Sequence, residues 1–331
     1  EPWATPTQVS LSTDGDKTAW DAFKPVLDEA GLTYDYAGGF LNSITSADGT
    51  RTLGTKQEQG GGWSYWQFLV NGKMAQTSIG NFLIDSSTTS LELRYVDASG
   101  KEKAPDVPIH PRDDLPSYDA DWPAFASGKV GGATTDASTP SRAAKLAWSY
   151  AWRSGADFSG ASDPLLVNGN AYIATKHTLR IVSGADGTVL KEAPMTASVG
   201  YFSRPVYAGG RIIVPADGGA LSAYAADDLT CVWSLTGLAP DAQALSSVSV
   251  IGDYVVAGYT SLDARWNGAA GTLVCVNART GAVVWKKVDK ADETPEGYYW
   301  AGAAASASDV VIGGESGSVK LLDGATGKEL S

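Results

Sequence analysis

The sequence predicts a mainly β protein, with a small α+β unit followed by a propeller-type unit of about four four-stranded blades. From residue 146 onward, pairs of short hairpins recur at intervals of roughly 40–50 residues, which is the spacing of propeller blades. Before residue 97, one amphipathic stretch of helical period lies among short apolar strands. We therefore divide the chain into residues 1–97, a proline-rich linker over residues 98–145, and residues 146–331.

The first unit combines a helix with several strands. Val9 and Leu11 alternate with polar neighbours and predict a first strand. Residues 18–30 predict a helix, and Pro25 inside it predicts a kink or a late start, because proline removes a backbone hydrogen bond. The apolar face of this helix contains Trp20, Phe23, Leu27 and Ala30. Further strands are predicted at residues 33–36, 42–45, 64–70 and 90–96.

The stretch GGGWSYWQFLVNGK, residues 60–73, is the most aromatic part of the first unit. In a strand its side chains alternate between two faces, with Trp63 and Tyr65 on one face and Phe68 and Val70 on the other. Asn71-Gly72 predicts a type I′ hairpin turn. Two interpretations follow: these residues form the core of a small sheet, or one aromatic face binds a glycan or a partner protein. Trp63 and Tyr65 are the surface candidates, and Phe68 and Val70 are the core candidates.

The linker is defined by its composition. Residues 98–145 contain six prolines among Asp, Ser, Gly and Ala, which predicts an extended and semi-rigid segment. Trp122 and Phe125 indicate that part of it lies against a domain.

The repeats of the second unit consist of a strand, a tight turn and another strand, each preceded by a further apolar hairpin. Equivalent outer-strand positions are Trp148, Lys191, Trp233, Trp285 and Ser331. Four blades need only four outer strands, so one is surplus. A bare half-ring is the least stable alternative, because exposed blade edges promote aggregation. We expect a ring completed by further blades of a longer chain, or a homodimer in which two copies pool their blades, in preference to a closed four-bladed ring.

Two of the repeats resemble a known family. The segments Asn277–Trp285 and Asp323–Leu330 are similar to the repeat of the PQQ-like β-propeller family, which contains quinoprotein dehydrogenases and many non-catalytic relatives. The enzymes of that family share a vicinal cysteine pair, a calcium-binding carboxylate cluster and a tryptophan stacked on the quinone. Here Cys231 and Cys275 are 44 residues apart, and no matching carboxylate cluster is found. We therefore predict no bound cofactor and no enzymatic activity.

The first unit also resembles a family. A helix, then Gly62-Trp63-x-Tyr65, then residues 70–73 (Val-Asn-Gly-Lys) and 91–95 are similar to the DUF4430, or transcobalamin-C-terminal-like, domain of bacterial surface proteins. The resemblance implies an exported protein at the cell surface, after removal of a signal peptide. The first residue is Glu1, so either a leader was removed or the sequence starts inside a longer chain. Capture of a corrinoid by this domain is an alternative.

Charge and patterning exclude several classes of function. The chain has 37 acidic and 25 basic residues, and its formal charge of −12 repels nucleic acid and anionic lipid. No apolar run is long enough to insert into a membrane. The only histidines, His110 and His177, lack metal-ligand spacing, so no metal site is predicted.

Candidate ligand-binding residues also occur in the second unit. Arg265 and Trp266 lie in the longest interval between repeats, and Tyr298, Tyr299 and Trp300 precede the innermost strand of a blade. These residues bind a ligand at one rim of the propeller, or they pack between blades. The sequence as a whole predicts a non-catalytic surface protein that acts in binding or adhesion to a protein or glycan. The alternative is a PQQ-dependent dehydrogenase.

Overall fold

The computed structural model describes residues 3–12, 14–57, 63–96, 106–127, 145–150, 161–199, 202–239, 242–262, 268–290, 297–298, 300, 302–306 and 308–331. The chain divides into two compact units, Glu1–Lys101 and Glu102–Ser331. No helix in these ranges is long and apolar enough to cross a membrane.

The described part of the first unit has one helix and nine short strands. The elements are β1 (Asp14–Thr18), α1 (Ala19–Glu29), β2 (Thr33–Ala37), β3 (Phe40–Thr45), β4 (Thr52–Gly54), β5 (Lys56–Gln57), β6 (Trp63–Val70), β7 (Lys73–Met74), β8 (Leu83–Asp85) and β9 (Leu91–Val96). A three-stranded antiparallel sheet has the order β2-β3-β4, and in a second sheet β6 pairs with β5, β7 and β9.

One expectation for the start of the chain is wrong, and of the two alternatives for the helix the late start is not observed. Val9 and Leu11 form no strand; the first strand is β1, which pairs with β8. The helix begins at Ala19, with no late start, and it continues through Pro25. The backbone N–H of Thr18 donates to the Asp21 carboxylate at 2.7 Å, which satisfies a donor at the helix N-terminus.

The predicted hairpin after β6 is confirmed. Asn71 and Gly72 have φ values of 51° and 74°, the two positive values that a type I′ turn requires. The Asn71 side chain also accepts hydrogen bonds from the backbone of Thr89 and Ser90. Phe68 is buried and packs with partly buried Val70, as predicted for core residues.

The described part of the second unit forms four antiparallel sheets in sequence, which we call blades 1 to 4. Blade 1 contains β10 (Ala120–Trp122), β11 (Leu165–Val167), β12 (Asn170–Ser183) and β13 (Val189–Val199). Blade 2 contains β14 (Val206–Ala208), β15 (Arg211–Ala216), β16 (Ala220–Ala225) and β17 (Cys231–Leu235). Blade 3 contains β18 (Ala242–Gln243), β19 (Ser249–Ile251), β20 (Tyr254–Leu262), β21 (Gly268–Asn277) and β22 (Val283–Lys290). Blade 4 contains β23 (Ala304–Ala305), β24 (Asp309–Gly313) and β25 (Val319–Asp323).

The blades depart from four strands each in three places. In blade 1, two predicted strands form the single run β12, whose pairing register breaks near Lys176, a residue with φ of 49°. In blade 3, β18 and β19 both pair with β20. Blade 4 has three described strands, and an isolated bridge also pairs Leu322 of β25 with Glu329.

Part of the predicted linker lies in the second unit. Strand β10, which includes Trp122, pairs with β11 of blade 1. The Tyr207 N–H donates to the Pro123 carbonyl at 2.7 Å, and Ala124 is buried. A three-residue 3₁₀ turn, Phe125–Ser127, follows. Residues 106–127 therefore contribute to the propeller-type unit.

A tryptophan links neighbouring repeats at three equivalent places. The indole N–H of Trp233, in blade 2, donates to the Ala278 carbonyl of blade 3 at 3.0 Å. The ring covers Gly281, where an added Cβ would lie 2.8 Å from ring atoms. The other two tryptophan-to-glycine contacts are Trp148 with Gly187 and Trp285 with Gly327. These contacts explain why the tryptophans recur at the predicted outer-strand position.

The contact between blades 1 and 2 is built differently. Lys191 occupies the tryptophan position, and Leu229, with φ of 60°, occupies the glycine position. Arg112, from the predicted linker, instead pairs with Asp227 at 2.8 Å and with Asp228 at 3.3 Å. A segment before the first blade thus contacts the turn of blade 2 that carries Leu229.

Candidate functional site

The candidate site of the second unit is centred on Arg204, which lies on the connection from β13 to β14. Its side chain is 15% exposed. Nη1 donates to the carbonyl of Trp300 at 2.9 Å and to that of Leu245 at 3.4 Å. Nε lies 3.3 Å from Oδ2 of Asp163, an ion-pair distance without the geometry of a hydrogen bond. The guanidinium is therefore held by connections that lead into different blades.

Two aromatic rings lie close to this guanidinium, and a third packs against one of them. The Cζ atom of Arg204 is 4.1 Å from the ring centroid of Phe125 and 5.8 Å from that of Trp300, within the range of cation–π attraction. Phe202 meets Trp300 edge to face, with centroids 6.1 Å apart. The exposed fractions are 45% for Phe125, 37% for Phe202 and 51% for Trp300. We call Phe125, Phe202, Arg204 and Trp300 the Arg204 patch.

Local hydrogen bonds fix the backbone under the patch. The Asp163 N–H donates to the Ser203 carbonyl at 2.8 Å, and the Ser203 hydroxyl donates to the Pro215 carbonyl at 2.7 Å. The Val248 N–H donates to the Arg204 carbonyl at 3.3 Å. The patch is thus held by hydrogen bonds at its base, and the Nη2 group of Arg204 has no acceptor among the described residues.

The predicted ligand-binding residues of the second unit differ in exposure, and only two of the five are described. Trp300 is half exposed and belongs to the patch. Tyr298 is fully buried in the core between blades 3 and 4, and its hydroxyl contacts Asp289, so it cannot line an open surface. Arg265, Trp266 and Tyr299 lie outside the described residues.

The two candidates of the first unit lie in β6. Only the backbone of Trp63 is described. Tyr65 is partly buried, and this burial raises the pKa of its hydroxyl. Gln67 and Leu69, on the same strand face as Tyr65, are also buried, so this face does not form the open aromatic surface that the sequence allowed.

Sequence reasoning missed Arg204 and assigned Phe125 to the linker. The only local signal was the spacing of Phe202 and Arg204 directly before an inner strand. The approach of Phe125 and Trp300 could not be predicted, because it depends on contacts between segments more than 70 residues apart.

A second unusual group is the carboxyl of Asp217, in the turn between β15 and β16. Asp217 is 6% exposed, and its Oδ2 atom has no hydrogen-bond partner in the described part of the chain. Desolvation raises the pKa of Asp217 to about 7. No cation lies near enough to form an ion pair with it among the described residues.

The two cysteines do not provide a nucleophile. Cys231 and Cys275 are free and buried. Burial raises the pKa of the Cys231 thiol to about 11 and that of Cys275 to about 12, so both remain protonated near neutral pH.

Comparison with known proteins agrees with this architecture. Residues 145–296 match the family model described as "Outer membrane protein assembly factor BamB". This match covers less than half of the chain, and it confirms the predicted PQQ-like repeats. No curated protein matches the chain. The DUF4430-like resemblance of the first unit stays a prediction.

Two solved structures that align with part of this chain are a dehydrogenase and an assembly factor. The quinohemoprotein alcohol dehydrogenase ADHIIG from Pseudomonas putida HK5 is 15% identical, with a TM-score of 0.51; the alignment covers 64% of this chain and 39% of that chain. BamB from Moraxella catarrhalis is 15% identical, with a TM-score of 0.39 and coverage of 50% and 49%. The chain thus spans well under two thirds of the length of these proteins. The likeness to the dehydrogenase supports a mainly β, propeller-type fold.

In the described part of the chain, no set of residues fits the binding of a quinone and its calcium ion. The cysteines are separate and buried, and no three His, Cys, Asp or Glu side chains in these ranges are grouped as a metal site. No step of quinone chemistry follows from the residues present, and the absence of a cofactor stays a prediction.

Proposed function

We propose that the second unit is a non-catalytic binding module and that the Arg204 patch contacts a partner protein. The observation that carries this proposal is the contact of two half-exposed aromatic rings, Phe125 and Trp300, with one guanidinium, and the packing of a third ring, Phe202, against Trp300. Trp and Arg are enriched among residues that dominate protein–protein binding energy, and exposed aromatic patches on rigid loops mark such sites. The matched family model is named after a protein assembly factor, and this name supports a role in binding other proteins.

The net charge helps to choose the partner chemistry. Arg204 is partly neutralised by Asp163, and the chain carries a formal charge of −12. A strongly anionic partner would be repelled, so uncharged acceptors such as backbone carbonyls suit the available Nη2 donor. In this proposal the protein is exported and acts in binding or adhesion at the bacterial cell surface.

We predict that Trp300→Ala weakens binding of peptides selected from a displayed library against the full chain, by about tenfold or more. The ring is half exposed, so its removal leaves the fold intact while it removes contact area. Binding is measured by fluorescence anisotropy. Leu190→Ala is the matched control, because Leu190 is 56% exposed but lies on the outer strand of blade 1.

Three results would contradict the proposal. No peptide is selected, selected peptides bind the Trp300→Ala chain equally well, or a glycan array binds through Trp300 while peptides do not. The enzyme alternative is checked separately by adding PQQ with calcium. We expect no rise in melting temperature and no alcohol-dependent dye reduction; either signal would support a dehydrogenase.

A further inference from the structure

The first unit contains a cavity of about 320 Å³ beside the edge strand β4. This volume is at the lower end of the range for small-molecule sites. The residues that line it are Arg51, Thr52, Leu53, Gly54, Thr55, Lys56 and Tyr95. The lining residues include two basic residues, Arg51 and Lys56, and no acidic residue, in a chain whose formal charge is −12.

Arg51 is positioned but not neutralised. Its guanidinium lies over the Trp3 ring, with Cζ 5.8 Å from the centroid. Asp48, three residues earlier, accepts hydrogen bonds from the Ser46 hydroxyl and from the backbone and hydroxyl of Thr50. No carboxylate in the described ranges pairs with Arg51. Its fork of N–H donors is therefore available to an anion.

The other walls define the rest of a ligand. The Tyr95 hydroxyl donates to the Gly54 carbonyl at 2.9 Å, which fixes the ring as a wall. Leu53 adds apolar surface, and its carbonyl accepts the indole N–H of Trp66 at 2.9 Å. The Thr55 hydroxyl donates to no other described residue, so it can serve as a second polar contact. The cavity thus combines one guanidinium with a flat, partly apolar wall.

We propose that this cavity binds a small organic oxyanion, with its carboxylate or phosphate group on Arg51 and its uncharged body against Leu53 and Tyr95. The arrangement uses only residues of the first unit and does not depend on the Arg204 patch. A guanidinium recognises planar oxyanions through paired hydrogen bonds, and the aromatic wall favours a flat body.

The test uses benzoate as the probe, with the full chain labelled with ¹⁵N. We expect saturable shifts of the Arg51 Nε–H signal on titration with benzoate, and no saturable shift with benzamide, the neutral isostere. Inorganic phosphate distinguishes the anionic group from the body: if it binds as tightly as benzoate, the aromatic wall makes no contribution and that part of the proposal is wrong.

Arg51→Gln should weaken benzoate binding at least tenfold. Binding to this variant is followed by the ¹⁵N NMR signals of Tyr95 and Trp66. Arg94→Gln is the matched control, because Arg94 lies on β9 beside Tyr95 but pairs with Glu92 at 2.8 Å. Unchanged melting temperatures confirm that both variants fold. Equal affinity of the Arg51→Gln chain for benzoate, or binding of benzamide as tight as that of benzoate, would overturn the proposal.

Discussion

Replacement of Trp233 by alanine is expected to destabilise the second unit by about 3–5 kcal/mol, the usual range for the loss of a large buried aromatic side chain. Trp233 is only 6% exposed and belongs to the main apolar core of blades 2 and 3. Its removal leaves a cavity between the blades and also leaves the Ala278 carbonyl without its indole donor. The effect should be measured by urea unfolding, with hydrogen exchange of β15 and β16 reporting on the second unit.

Two further variants separate packing from the hydrogen bond. Trp233→Phe retains an aromatic ring and loses the donor. Its free energy of unfolding should therefore lie between those of the native chain and the alanine variant. Gly281→Ala should also be costly, because its φ of 74° disfavours a side chain and its Cβ would meet the Trp233 ring. A loss below about 1 kcal/mol for Trp233→Ala would show that the blades do not depend on this contact.

Replacement of Asp217 by asparagine is expected to stabilise the second unit at pH 8 by up to about 4 kcal/mol, because one pKa unit corresponds to about 1.4 kcal/mol. The folded-state pKa of Asp217 is about 7, above its ordinary value of 3.8, because the carboxylate is desolvated and lacks a partner. The folded state therefore binds the proton more tightly than the unfolded state does. Ionisation of Asp217 therefore destabilises the folded state relative to the unfolded state. The free energy of unfolding of the native chain should fall as pH rises from about 4 to about 7.

The measurement is the free energy of unfolding of both chains between pH 4 and pH 8. The native curve should decline relative to that of Asp217→Asn across this window and run parallel to it above pH 7. Asp228→Asn, in the same blade, is the control: the pKa of Asp228 is lowered, so its removal should shift the curve uniformly between pH 6 and pH 8. Parallel curves for the native chain and Asp217→Asn over the whole range would contradict the prediction.

Local sequence patterns predicted much of the fold correctly. The Asn71-Gly72 turn follows from the few residues that tolerate positive φ, and the tryptophan spacing marks three real contacts between repeats. The same reasoning failed for Val9 and Leu11, because alternation over so few residues also occurs in irregular chain.

The fate of individual aromatic residues needed the tertiary structure. Tyr298 and Trp300 are two positions apart in one aromatic cluster, yet one is fully buried and the other is half exposed. Phe125 looked like part of a linker, but its segment pairs with blade 1 and brings its ring to Arg204. Neither outcome has a local signal.

The sequence by itself determined the mainly β class, the repeated hairpins and the division into an α+β unit and a propeller-type unit, because turn chemistry and strand period act over a few neighbouring residues. Only the tertiary structure decided which side chains meet around Arg204, which line the cavity beside Arg51, and which are buried. Those outcomes depend on packing between residues that are distant in sequence, and packing frequently overrides local preference.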